Sequence, residues 1–233
     1  VRIHSGFGGT LGGFGGGGNS GNLLIYPATA TGTGTQGSMY LGSSLVSPGV
    51  ISDVYIGGAG NEQPHSLIVD PQGNLIVAGR SNSDSTYPGG KVAIGSGGGW
   101  DIIVTKLNAA GSAIIGSRRI GGSGSDGVNI NATRSGTSSL QQNYGDDGRS
   151  EVILDAAGNI YVASSTQSSS NDPAIKFPTT AGVFQPNFGG GSQDAVVLKF
   201  NSNLSTLLFS SYLGGNGTDA AYVLSIAPSG DIY

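Results

Sequence analysis

The chain has 233 residues, 44 of them glycine and none of them cysteine, with only 10% charged residues and a formal net charge of −4. A chain this acidic and thinly charged offers no basic surface to a nucleic-acid backbone, and without cysteine it has no disulfide framework. It contains no run of about 18 apolar residues, the length a membrane-spanning helix needs.

In chain order, residues 1–20 are a glycine-rich segment without an assigned role, and within it residues 6–18, with Phe7, Leu11 and Phe14 as sparse anchors, are given no strand. Residues 21–58 read as a partial unit. Gly21-Asn22-Leu23-Leu24-Ile25 resembles Gly73-Asn74-Leu75-Ile76-Val77, so the chain is expected to enter at a second strand. Residues 62–122 form a complete unit, with a strand at Leu67-Ile68-Val69, a turn at Asp70-Pro71-Gln72-Gly73-Asn74 and a later strand at Asp101–Leu107. Its first strand is an unbroken apolar run, as is Val152-Ile153-Leu154, and both are expected to be covered on two faces. Residues 127–147 are a polar insert, expected to be a surface loop. Residues 147–215 form the second complete unit, with strands Glu151 to Leu154, Ile160 to Ala163, Ala195 to Phe200 and Thr206 to Leu213. Residues 219–233 start a further unit and stop inside its second strand, so the chain is expected to be a fragment of a longer polypeptide.

The units share one ruler. Ile56-Gly57-Gly58-Ala59-Gly60-Asn61-Glu62, Ile120-Gly121-Gly122-Ser123-Gly124-Ser125-Asp126 and Leu213-Gly214-Gly215-Asn216-Gly217-Thr218-Asp219 are one motif written three times. Glu62 to Gly73, Asp147 to Gly158 and Asp219 to Gly230 are each eleven residues, and Asp101 to Gly121 and Asp194 to Gly214 are each twenty. Self-similarity at fixed spacing marks one supersecondary module reused along the chain. The apolar runs are too short for helices and are bounded by Gly, Pro, Asn and Asp, which is a strand-and-turn pattern. Four antiparallel strands per unit define the expected fold class: all-β, a β-propeller of four-stranded antiparallel blades, either partial or part of a larger one.

Chemistry is thinly written. Gly122 to Gly127 fits G-x-G-x-x-G, a dinucleotide fingerprint, but no helix pattern follows and the next unit nearly copies it, so a turn is the preferred reading. The acids Glu62, Asp126, Asp147 and Asp219 are of the type calcium uses, yet each serves equally as an acceptor of backbone N–H groups linking two units, and that reading is preferred. Asp146-Asp147, the adjoining carboxylates beside the insert, are the metal candidate, with calcium the ion they would take; no other cofactor is called for. His4 and His65 lack ligand spacing and no nucleophile motif accompanies them, so no enzyme activity is expected. Trp100 could stack on a sugar, but Gln193 holds its place in the next unit and packing is preferred.

Asp194–Phe200, Ser211–Asp219, Asp155–Val162 and Phe177-Pro178-Thr179-Thr180 together resemble the bacterial β-propeller (SBBP-type) repeat family of long secreted and cell-surface proteins, over about residues 50–233. The 62–122 unit departs from that pattern by lacking the Phe-Pro-Thr-Thr segment and by carrying Arg118-Arg119 in place of Ser211-Tyr212. The resemblance implies a noncatalytic, extracellular scaffold for adhesion or protein interaction at a bacterial surface, in a type IX secretion substrate or a surface filament. Its implied partners are other domains of the same long chain, other surface proteins, or further copies of itself. The alternative is a carbohydrate-binding or carbohydrate-cleaving propeller, whose partners would be glycans.

Overall fold

The computed structural model describes residues 2–3, 24–27, 39–42, 54–90, 93–127 and 150–233. Among them there is no helix, and three sheets follow one another along the chain. The first holds β1 (Arg2–Ile3), β2 (Leu24–Pro27), β3 (Met39–Gly42) and β4 (Val54–Ile56) in that order, with β1 parallel to β2 and the other pairs antiparallel. The second runs β5 (Glu62–Val69), β6 (Leu75–Ser81), β8 (Asp101–Leu107) and β9 (Ile114–Ile120), with the two-residue β7 (Ala93–Ile94) added in parallel on β9. The third is the plain antiparallel meander β10 (Glu151–Leu154), β11 (Ile160–Thr166), β12 (Asp194–Phe200) and β13 (Leu207–Leu213). The all-β class and the four-strand unit expected from the sequence are present.

Two hairpin turns show why strands form where they do. Gly73 and Gly158 adopt φ of +82° and +78°, a conformation that excludes most side chains. Asp70 Oδ1 accepts the N–H groups of Gln72 and Asn74 at 2.9 and 2.8 Å, and Asp155 Oδ1 those of Ala157 and Asn159 at 3.0 and 2.8 Å. A lysine from the third strand completes each turn: Lys106 Nζ lies 2.8 Å from Asp70 Oδ2, and Lys199 Nζ 3.4 Å from Asp155 Oδ2.

The core lies between the second and third sheets. Ile76, Ala78, Ile102, Val104 and Ile120 on one side meet Val152, Ile160, Val162, Val196, Leu198 and Phe200 on the other. The opposite face of the second sheet packs Val77, Ile103 and Leu107 on Ile56 of β4. The opposite face of the third packs Tyr161, Ala163 and Val197 on Leu224. Burial on two faces belongs to β8 and β11, all seven residues of each being buried, and not to the first strands as expected. Val69 at the end of β5 is 59% exposed. The reason is position: β5 and β10 are edge strands, each paired within its sheet on one side only.

Candidate functional site

The repeated chemistry is concentrated where the chain leaves one sheet and enters the next. At the first junction Glu62 Oε1 accepts the Ser81 hydroxyl at 2.8 Å and the Ser83 hydroxyl, while Ser83 Oγ accepts Gly60 N–H at 2.7 Å. At the second, Asp126 accepts Gly122 N–H at 2.9 Å, the Ser168 hydroxyl at 3.0 Å and the Thr166 hydroxyl, while Ser168 Oγ accepts Gly124 N–H at 3.0 Å. Asp126 also donates its N–H to Trp100 O at 2.7 Å, so one residue ties the entry to the third strand of one sheet to the second strand of the next. At the third, Asp219 accepts Gly215 N–H at 2.8 Å and donates its N–H to Gln193 O at 2.9 Å. Among the described residues no hydroxyl from a further sheet meets it.

In the second and third copies of the motif the first glycine is fixed by lack of room. A Cβ at Gly121 would collide with Asp101 Oδ1 and lie 2.6 Å from Asp126 Oδ2, and one at Gly214 would lie 2.5 Å from Asp194 Oδ1 and 3.1 Å from Asp219 Oδ2. Gly58 and Gly122 are likewise closed, by Ser83 and Ser168. Gly215 is open, with its nearest neighbour 4.0 Å away, and Gly230 has φ +91° with nothing near it.

Burial sets Asp126, Asp101 and Asp194 apart from surface carboxylates. Burial pushes Asp126 up to about 7, the neighbouring Asp101 adding to the rise against the Thr166, Gly122 and Ser168 donors. Burial also raises Asp101, with Arg119 opposing, and Asp194, with Asp219 adding. Arg119 Nε stands 3.4 Å from Asp101 Oδ2. In the next unit Tyr212 holds the place of Arg119; Asp194 Oδ2 accepts Gly189 N–H at 2.6 Å and its buried Oδ1 has no hydrogen-bond partner.

In the structure Asp126 stands opposite the end of β11, bridged to Thr166. The acid stays beside its own glycines because Gly122 N–H binds it, and the extra residues follow it. Gly127, the expected start of the insert, still belongs to the junction, its N–H donating to Ser165 O at 2.8 Å. Asp146, Asp147 and His4 lie outside the described residues, as does the rest of the insert, residues 128–147. Among the described residues no group of three or more His, Cys, Asp or Glu is placed to hold a metal. The G-x-G-x-x-G amides of Gly122 and Gly124 are spent on Asp126 and Ser168, which leaves neither for a phosphate. His65 Nδ1 lies 3.3 Å from Ser150 Oγ, and Trp100 lies under the Arg80 guanidinium at 4.4 Å.

Sequence reasoning missed the partners of the repeat acids. Ser81 and Ser83 follow Gly73 by the same steps as Thr166 and Ser168 follow Gly158, and that recurrence was the available signal. The chain matches no model of a known protein family, and no curated protein matches it.

Proposed function

We propose that the chain is a noncatalytic scaffold of β-propeller type, each sheet a blade, that carries adhesion or protein interaction at a bacterial cell surface. The observation supporting this reading is the junction itself: Asp126, with its raised pKa, is buried between two sheets and spends its oxygens on their attachment. Side-by-side first strands add to it, since Val152 N–H of β10 donates to Ser66 Oγ of β5 at 3.3 Å, and the inner ring of a propeller brings first strands together. Fractionation of the source cells, with protease treatment of intact cells, tests the surface assignment. Protein in the surface or secreted fraction that is cleaved from outside is the expected result; protein confined to the cytosol would refute it. Binding in a glycan array would favour the carbohydrate reading over protein interaction.

A further inference from the structure

The face of β10–β13 turned away from β5–β9 carries Tyr161, Ala163, Ala195, Val197 and Leu213. In the repeat these stand where Ile76, Ala78, Ile102, Val104 and Ile120 stand in the preceding sheet, the residues through which that sheet packs on the next. The hairpin at the end of the chain covers part of the face. Leu224 and Ile226 pack on it, and Ser225 and Tyr233 exchange N–H···O bonds of 2.7 and 2.9 Å across the hairpin. Leu213 stays 51% exposed, whereas its counterpart Ile120 is 0% exposed. Beside Leu213 lies an open cavity of about 530 Å³ whose lining includes Phe184, Gly215, Asp219 and Val223.

The covered junction shows what fills such a cavity. There Thr166 and Ser168 meet Asp126, Ser168 crowds Gly122, Ser123 N–H donates to Ile175 O at 2.8 Å, and Phe177 is fully buried beside them. We propose that the far face of β10–β13 is a docking surface for a further unit of this repeat. That unit presents a Thr-x-Ser or Ser-x-Ser step to Asp219 and a Phe-Pro step like Phe177-Pro178 to the cavity beside Leu213. The occupant is the sheet that the Leu224–Tyr233 hairpin begins, joined in line with it. A second copy does not offer its own third sheet, because its Thr166, Ser168 and Phe177 are already buried in its own junction. The inference rests on repetition of the junction and not on ring closure or adhesion, so it can fail while the surface assignment holds.

The test uses the absence of cysteine from the chain. Leu213→Cys supplies a single thiol, and its rate of labelling by a thiol reagent reports whether the face is covered. Ile232-Tyr233 stand in the repeat where Ile160-Tyr161 stand, so a chain extended after Tyr233 by its own residues 162–213 completes a unit in register. Labelling of the Leu213→Cys variant is expected to slow by about tenfold or more in the extended chain, and Asp219→Ala to return most of that rate with the circular dichroism unchanged. An equal rate in extended and original chains would overturn the proposal. So would appended strands that stay unfolded, because a repeat unit is ordered by the neighbour it docks on. Protection that appears in the original chain with rising protein concentration would assign the face to a second copy instead.

Discussion

Leu204 occupies a backbone conformation that the preceding unit gives to glycine: its φ is +60°, and Gly111 at the same step of the repeat has +67°. The left-handed region costs a leucine about 1–2 kcal/mol, but truncating a buried leucine costs about 2–5 kcal/mol, so core packing wins. Leu204 is 0% exposed and sits in the core between the second and third sheets. Leu204→Gly is therefore expected to destabilise the protein despite relieving the backbone; a stability in urea equal to or above the parent would refute this. Gly214→Ala should lower the melting temperature while Gly215→Ala leaves it unchanged, since only the first position is closed by carboxylates. Asp126 makes the fold sensitive to pH. Its folded pKa of about 7 lies above that of an unfolded carboxyl, so the folded state holds the proton more tightly. That stability is present below about pH 4 and is lost as pH rises toward 7. Asp126→Asn should flatten the fall in melting temperature between pH 4 and 7, and a slope equal to the parent's would exclude Asp126 as its source.

Each hairpin is tied to the third strand of its sheet by an aspartate–lysine pair, and the two pairs differ in burial. The Asp70 and Lys106 side chains are 3% and 8% exposed, those of Asp155 and Lys199 17% and 27%. Removing one member of a buried pair leaves an uncompensated charge and costs about 3–5 kcal/mol, whereas a solvated pair contributes about 0–1 kcal/mol. Lys106→Met is expected to destabilise far more than Lys199→Met in chemical denaturation; equal losses would refute the difference. Burial by itself would raise Asp70, but Lys106 and Asn74 bring it down to about 2. The stability this contributes is present above about pH 4 and is lost as pH falls toward 2, and Lys106→Met should weaken that acid loss. Tyr212 performs a different task, accepting Phe177 N–H at 3.0 Å and donating to Ser168 O at 3.1 Å, which fastens the Phe177 segment over the edge of β13. In the second sheet, which lacks that segment, β7 lies along β9 instead and Arg119 takes the place of Tyr212.

The sheets pack on one another in chain order, each stabilised by the neighbour on its face, so stability should be a sum of unit and junction terms. Deleting residues 219–233 removes Leu224 from the cluster of Tyr161, Ala163 and Val197. Hydrogen exchange in β12 should then rise while β8, enclosed between two sheets, keeps its protection. A uniform rise in both would mean that the sheets unfold as one cooperative body.

The strand order, the hairpin turns and the two glycine-closed junctions were legible in the sequence, because short apolar runs, Asp-x-x-Gly-Asn turns and fixed spacings record local backbone requirements. The polar end of β11 was not. The strand expected from the sequence stops at Ala163, yet Ser164, Ser165 and Thr166 are buried strand residues, with Ser164 Oγ 2.8 Å from Ser150 Oγ and the Thr166 hydroxyl on Asp126. Nor did spacing reveal that Asp126 meets that strand, or that Phe177 fills the junction. Those are pairings between units far apart in the chain, and a sequence carries them only as separate residues. By itself the sequence determined the repeating four-stranded unit, because each of its turns is a local matter of dihedral angles and hydrogen bonds. The tertiary structure alone decided which acid is buried, which hydroxyls neutralise its hydrogen-bonding demand and which face is left open, because each depends on how closely one sheet approaches the next.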